Sequence, residues 1–323
     1  MSAHSEFSLI QHYFEHLTSQ RDDVLLGIGD DCALLQCPAD HAIAVSIDTL
    51  VEGVHFFSDV EPESLGHKSL AVGLSDLAAM GATPAWFTLA LSLPEANEKW
   101  LRGFSKGLAN LATEYGIQLV GGDTTRGPLT ISIQVHGIVK SGQALRRDGA
   151  QEGDLIYVSG CLGDAGAAVQ LKLQQLDESS LQNEDKYYLQ QRLERPTPRI
   201  ALGQKLSGLA TAAIDISDGL LADLGHIVEK SNVGARVELA QLPLSSALMK
   251  LDRTLAEQLA LTSGDDYQLC FTVPPENVER LENLLGNQCH QIGVLTTGIA
   301  ISCFNQQGEL IEIKGTGYDH FPA

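Results

Sequence analysis

The sequence predicts an α/β (α+β) fold in two domains. Strand-like apolar runs alternate with amphipathic helical segments in both halves, without a regular repeat. A chain of 323 residues is long enough for two cores. A polar stretch over 144–153 separates the halves, so the expected domains are 1–143 and 144–323.

Phe7, Ile10, Phe14 and Leu17 stand at helical spacing and predict an amphipathic helix over 5–18. A short strand, Val24-Leu25-Leu26, runs into Gly27-Ile28-Gly29-Asp30-Asp31. Residues 41–48 alternate, with Ile43, Val45 and Ile47 on one face and Ala44, Ser46 and Asp48 on the other. A period of two points Ser46 and Asp48 the same way, as a usable pair of ligands. A helix over 63–80 is stopped by Gly81 and Pro84. Asp76 falls in its C-terminal half, where the macrodipole disfavours an anion and a bound cation would relieve it. A strand over 86–93, a helix over 97–115 closed by Gly116, a strand over 117–120 entering Gly121-Gly122-Asp123, and a strand over 129–139 complete the first half.

The second half opens with a strand over 155–159 and the glycine-rich run Gly160-Cys161-Leu162-Gly163-Asp164-Ala165-Gly166. That run lacks the Lys-Ser/Thr of a P-loop and fits no dinucleotide fingerprint, so it serves either tight strand-to-helix packing or ligand contact. Residues 182–198 are polar and loosely patterned. Strands are expected over 212–216, 235–239, 268–273, 298–304 and 310–313, with helices over 220–230 and 276–285.

Hydrophobic residues at 44% and charged residues at 19% describe a soluble globular protein. The net charge of −20 argues against nucleic acid, whose binding draws on basic side chains. An acidic chain still binds a phosphorylated ligand where metal ions invert the local field. No apolar run approaches the roughly 18 residues of a membrane span, and no signal peptide is visible. Six scattered cysteines without a C-x-x-C pair fit neither a zinc site nor a disulfide framework. A cytoplasmic protein with reduced thiols is expected.

Six stretches set aspartates beside glycine or serine: Gly29-Asp30-Asp31, Ser46-Ile47-Asp48, Ser75-Asp76, Gly121-Gly122-Asp123, Asp215-Ile216-Ser217-Asp218-Gly219 and Gly264-Asp265-Asp266. Such residues suit turns and helix caps, and equally suit hard cations such as Mg²⁺ or Ca²⁺. Two carboxylates about 4 Å apart repel by roughly 4 kcal/mol at an effective dielectric of 20, a penalty that bound Mg²⁺ removes while bridging to phosphate oxygens. Arg146-Arg147 is a basic pair in an acidic chain, suited to phosphate or to surface ion pairing. His55 either touches a ligand or completes a loop. No Ser-His-Asp or Cys-His nucleophile stands out, and the EF-hand spacing is absent.

In their order along the chain these stretches resemble the thiamine-monophosphate kinase family. The matching set includes 27–31, Ser46 to Phe56, Ser75 to Ala82, Gly121 to Thr125, Arg195-Pro196, Asp215 to Leu220, Ser263 to Tyr267 and Gly317 to Phe321, and it spans nearly the whole chain. The family is grouped with aminoimidazole ribonucleotide synthetase, selenophosphate synthetase and a hydrogenase maturation protein. The resemblance implies an N-terminal ATP-binding domain that dimerises through its strands and a C-terminal α+β domain. It also implies transfer of the ATP γ-phosphoryl group to thiamine monophosphate, with several Mg²⁺ ions and no covalent intermediate. A monovalent cation requirement is left open.

Carried over by position, Asp30, Ser46, Asp48, Asp76, Asp123, Asp215 and Asp218 are expected to hold Mg²⁺. Gly122, Asp123, Arg147 and Ser217 are expected to touch ATP, and His55, Asp265 and Tyr318 the thiamine substrate. Asp48, Asp218 and Arg147 are the residues expected to act most directly on the transferring group. The chain departs from the family where Asp265 replaces a common Glu and Tyr318 a common Trp. The rivals are a sister enzyme or a non-enzymatic divalent-cation-binding protein. A selenophosphate synthetase would want a reactive Cys near its N-terminal glycines, and a maturation protein a C-terminal Cys, whereas this sequence closes on Phe321-Pro322-Ala323.

Overall fold

Backbone packing in the computed structural model, which describes residues 6–315, 317, 318, 320 and 321, divides the chain into two units. The first runs to Leu77 and resumes over Ala82–Gly142; the second takes Ala78–Gly81 and the chain from Gln143 onward.

The first unit contains α1 (Glu6–Tyr13), β1 (Val24–Leu26), β2 (Leu34–Leu35), β3 (His41–Val51), α2 (Pro62–Ala79), β4 (Thr83–Leu93), α3 (Glu98–Tyr115), β5 (Gln118–Arg126) and β6 (Thr130–Lys140). Its main sheet has the order β3-β6-β4-β5, with β4 and β5 parallel and the other pairs antiparallel. Helix α3 is defined at both ends: the Asn97 side chain accepts from the Trp100 N–H, and Gly116 takes the left-handed conformation at φ 62°. Helices α2 and α3 approach so closely that a methyl group on Gly107 would lie 1.9 Å from the Glu63 carbonyl oxygen. Leu70, Leu74, Phe87, Leu91, Phe104 and Leu108 are fully buried in this unit.

Two elements extend further than their patterns predict. Strand β3 continues to Val51 because β6 pairs with it residue for residue from Lys140 to Thr130. Strand β5 carries on through Gly121-Gly122-Asp123 to Arg126 as the partner of β4, so these residues form a strand edge. Helix α1 ends at Tyr13, short of the expected 18. The alternation in β3 is real, but its apolar side lies open, with Val45 54% and Ile47 64% exposed.

The second unit contains β7 (Leu155–Ser159), α4 (Asp164–Lys172), α5 (Asn183–Glu194), α6 (Ile200–Leu206), β8 (Ala212–Ile216), α7 (Leu220–Ser231), β9 (Gly234–Glu238), α8 (Arg253–Thr262), β10 (Gln268–Val273), α9 (Val278–Leu285), β11 (Cys289–Thr296), β12 (Ile301–Phe304) and β13 (Leu310–Ile311). A seven-stranded sheet has the order β13-β12-β9-β11-β7-β10-β8, antiparallel except where β12 meets β9. Ile156, Val158, Ile214, Ile216, Leu220 and Leu224 belong to its core. Helix α5 falls in the polar 182–198 stretch. Its buried stripe is thin, Leu189 and Leu193 among charged neighbours, and a capping box between Gln182 and Asp185 fixes its start.

Candidate active site

The first unit assembles two of the predicted groups. Ser46 and Asp48 point from β3 toward α2, where the Ser46 hydroxyl donates to Asp76 Oδ2 at 2.5 Å. Asp48 Oδ2 is buried and has no hydrogen-bond partner. Burial, and then the neighbouring Asp76 charge, push the Asp48 carboxyl up to about 7. A methyl group on Gly73 of α2 would press on the Val135 side chain at 3.0 Å and stand 3.6 Å from Asp48 Oδ2, an ordinary contact distance. An unpartnered buried carboxylate oxygen beside a second carboxylate and a hydroxyl is a donor set that fits a hard divalent cation.

Asp30, Gly122 and Asp123 form the second group, in a cleft of about 520 Å³ with Ile28, Gly29 and Asp31. Asp30 and Asp31 are both exposed, and Asp30 Oδ1 accepts the Asp31 N–H at 2.8 Å. Gly122 cannot be replaced without moving the sheet, because a methyl group there would lie 2.0 Å from the Leu89 carbonyl oxygen. Pairing sets Asp48 opposite Ile133, Ile133 opposite Leu89, and Leu89 opposite Gly122. Asp48 and Gly122 are therefore three strand spacings apart, roughly 14 Å along the sheet. One ion cannot touch both groups within this unit. Among the described residues, no three His, Cys, Asp or Glu side chains converge into a ready-made metal cage.

His55 follows β3 in a tight turn, and its Nδ1 accepts the Val51 N–H at 3.0 Å. That bond assigns the proton to Nε2. The buried Lys68 holds the same turn by donating to the His55 carbonyl oxygen at 3.4 Å.

In the second unit, Asp215 is buried one residue before the end of β8, while Ser217 and Asp218 lie half-buried in the turn leading to α7. Two of the predicted substrate residues, Asp265 and Tyr318, hang on this turn by backbone bonds, with Tyr267 bonded beside them. Asp265 N–H donates to the Ser217 carbonyl at 2.9 Å, Tyr267 N–H to that of Ile216 at 2.8 Å, and Tyr318 N–H to that of Asp218 at 2.9 Å. Gly264 permits the approach, since a methyl group there would meet the Ser217 carbonyl oxygen at 2.4 Å. Asp265 and Tyr267 both adopt positive φ, 66° and 48°, and the Tyr267 hydroxyl donates to Asp265 Oδ1 at 3.0 Å. Tyr318 is 49% exposed, and its ring meets the His320 ring edge to face, with centroids 4.9 Å apart. Asp319 of the same motif lies outside the described residues.

Of the arginine pair, Arg146 forms an ion pair with Asp148, whereas the Arg147 side chain is exposed and makes no ion pair among the described residues. Its backbone is anchored by the Ser231 hydroxyl, which donates to the Arg147 carbonyl at 2.7 Å.

Two further groups have roles that the sequence pattern does not assign. Asp223, in the first turn of α7, accepts the N–H groups of Ser217, Asp218 and Gly219 on one oxygen, at 3.0, 3.1 and 3.1 Å. Behind Asp265, the buried Asp266 accepts the Gly163 N–H at 2.7 Å, and Asp164 accepts from the Tyr188 and Ser245 hydroxyls. The 160–166 run thus packs: a methyl group on Gly163 would meet the Ala260 nitrogen at 2.7 Å, and its N–H is taken by Asp266.

The chain matches the family profiles of the AIR synthase related protein, N-terminal domain, over residues 29–139 and C-terminal domain over residues 151–302. The fold and site therefore define an AIR synthase related protein. A thiamine-monophosphate kinase of Escherichia coli strain K12 is 50% identical over 322 residues, covering 98% of each chain. The crystal structure of a thiamine-monophosphate kinase from Stenotrophomonas maltophilia superposes with a TM-score of 0.83 at 50% identity, covering 90% of this chain and 93% of that one. AaThiL complexed with AMPPCP and TMP superposes with a TM-score of 0.77 at 32% identity, over 88% and 89% of the two chains. The chain belongs to the thiamine-monophosphate kinase family.

Proposed function

We infer that this chain transfers the γ-phosphoryl group of ATP to thiamine monophosphate, yielding thiamine diphosphate and ADP. The observation that carries this is identity of 50% with a thiamine-monophosphate kinase over essentially the full length, together with the ordered site residues described above. ADP release measured with thiamine monophosphate present, against ATP alone, tests it. ADP release that depends on thiamine monophosphate is expected; release independent of it would point to a sister enzyme.

The acceptor is a phosphate monoester with a second pKa near 6, so its attacking oxygen is already anionic at neutral pH. No general base is needed, and what the protein must do is bring two polyanions together in line. Mg²⁺, when bound, supplies the charge that screens the phosphates and stabilises the leaving ADP. We assign Ser46, Asp48 and Asp76 as one set of Mg²⁺ ligands, Asp30 and Asp123 as a second, and Asp215 and Asp218 as a third. The unpartnered Asp48 oxygen supports the first assignment. Gly122 offers its backbone, and Ser217 its hydroxyl, to the nucleotide. The exposed Arg147 guanidinium adds a phosphate donor.

On the acceptor side, His55 Nε2–H donates to the thiamine substrate, Asp265 accepts from it, and Tyr318 stacks on its ring. Asp265 is one methylene shorter than the family's common Glu, and the hydrogen bond from Tyr267 fixes its direction.

A homodimer formed through the strands of the first unit completes the reading. Its support is the long edge strand β3, which displays Ile43, Val45 and Ile47 to solvent together with Leu25 of β1 and Leu34 of β2. Light scattering at low micromolar concentration tests it: a monomer would refute the assignment. A cytoplasmic setting agrees with six free cysteines and with the lack, among the described residues, of any helix long and apolar enough to cross a membrane.

A further inference from the structure

We propose that Arg192 is a positioning residue for the thiamine substrate: from α5 it grips the Asp266 carbonyl oxygen and so sets the direction in which Asp265 presents its carboxylate. The polar 182–198 stretch thereby gains a part in acceptor binding. The 264–267 loop needs such a grip. Asp265 and Tyr267 hold the left-handed conformation, at φ 66° and 48°. Side chains resist that conformation, and it persists where the surroundings impose it. On one side of the loop, Asp265 and Tyr267 donate their N–H groups to the Ser217 and Ile216 carbonyls. Asp266, between them, is held twice more. Its Oδ2 accepts the Gly163 N–H at 2.7 Å, and its carbonyl oxygen accepts from Arg192 Nη2 at 3.3 Å. That carbonyl belongs to the peptide entering Tyr267, so its orientation is set together with the two left-handed residues.

Arg192 is itself fixed. Its side chain is 13% exposed, and its Nε lies 3.7 Å from Oδ2 of the fully buried Asp164, the first residue of α4. The Tyr188 hydroxyl donates to the same oxygen at 2.9 Å, and the Ser245 hydroxyl to the other. Burial raises the Asp164 carboxyl, and these three donors pull it back down. Tyr188 and Arg192 stand four residues apart and so share a face of α5. Each precedes a residue of the buried stripe, Leu189 and Leu193, which seats the helix. A planar guanidinium can meet two acceptors at once, here the Asp164 carboxylate and the Asp266 carbonyl; a lysine ammonium in its place is a point charge.

The inference rests on the reading of Asp265 as a substrate contact. Its test is steady-state kinetics of the full chain carrying Arg192→Met, Asp265→Gly or both. Glycine takes φ 66° without strain, so Asp265→Gly removes the carboxylate and spares the loop. Arg192→Met is expected to raise KM for thiamine monophosphate about tenfold, with kcat and KM for ATP changed less than twofold. In the Asp265→Gly background it should add less than twofold, because a residue acting through Asp265 has nothing left to position. Arg192→Lys keeps a charge beside Asp164 and should raise the same KM about threefold. Should Arg192→Met fail to fold, Arg192→Lys decides, alone and in the Asp265→Gly background. No rise in the folded Arg192 variants, equal rises for both substrates, or effects that multiply in the double variant would overturn the inference. If Asp265→Gly raises KM for thiamine monophosphate while the Arg192 variants do not, only the inference fails. If Asp265→Gly leaves that KM unchanged, the reading of Asp265 fails and the inference with it.

Discussion

The backbone N–H of Tyr318 donates to the carbonyl oxygen of Asp218 at 2.9 Å. A residue assigned to the thiamine ring is thereby tied to one assigned to the metal, through main-chain atoms alone. Side-chain substitution of Tyr318 leaves that tie intact, which allows its stacking role to be isolated. Tyr318→Ala is expected to raise KM for thiamine monophosphate about tenfold, a loss of about 1.4 kcal/mol, with KM for ATP changed less than twofold. Equal rises for both substrates in steady-state kinetics would remove Tyr318 from the acceptor site.

Asp48→Asn and Asp218→Asn test the metal assignments. Each keeps the shape of the side chain and removes the charge that a hard cation needs. Turnover is expected to fall by about 10³-fold or more, the scale of a lost electrostatic stabiliser. In EDTA, Asp48→Asn should also melt at a higher temperature than the natural protein, because it relieves a carboxylate buried beside Asp76. Near-normal turnover of both variants at limiting Mg²⁺ would discard the assignments.

Strand periodicity alone makes the Ser46–Asp48 pairing legible in the sequence, since residues two apart on a strand must share a face. The same rule identifies Ile43, Val45 and Ile47 as one face but cannot say that this face stays open. Asp223 escapes a motif reading because its role depends on a carboxylate reaching back over three amides, and a lone Asp in a first helical turn looks like an ordinary dipole partner. The Asp164 network escapes for another reason. It joins Tyr188 and Ser245 across 24 and 81 positions, and no local pattern encodes such separations. Helix α5 was hidden by its composition: only a thin apolar stripe is buried, and capping does the rest.

Gly122→Ala addresses the edge of the nucleotide cleft. The added methyl group would lie 2.0 Å from the Leu89 carbonyl oxygen, so β4 and β5 must separate locally. Weaker ATP binding, by at least tenfold in KM, is expected with little change in KM for thiamine monophosphate. A calorimetric titration with the ATP analogue that gives the natural affinity would show that the cleft does not take the nucleotide.

Asp266 supplies a prediction about pH. Burial pushes its carboxyl up to about 8, against the pull of the Gly163 N–H; the Asp164 charge raises it further and Arg192 lowers it. The unfolded chain ionises this group near 4. Between about pH 4 and pH 8 the folded protein therefore holds a proton that the unfolded chain has lost, and stability falls as pH rises, by at most about 1.4 kcal/mol per unit from this group. Asp266→Asn cannot titrate, yet its amide oxygen can still accept the Gly163 N–H, which the native Asp266 Oδ2 receives at 2.7 Å. Urea midpoints from pH 5 to pH 8.5 should decline less steeply in the variant than in the natural protein, and the variant should be the more stable of the two at the alkaline end. Parallel declines would mean that Asp266 is already ionised in the folded state. The carboxylate behind Asp265 would then hold its loop as a charge, and not as the neutral acid that its burial favours.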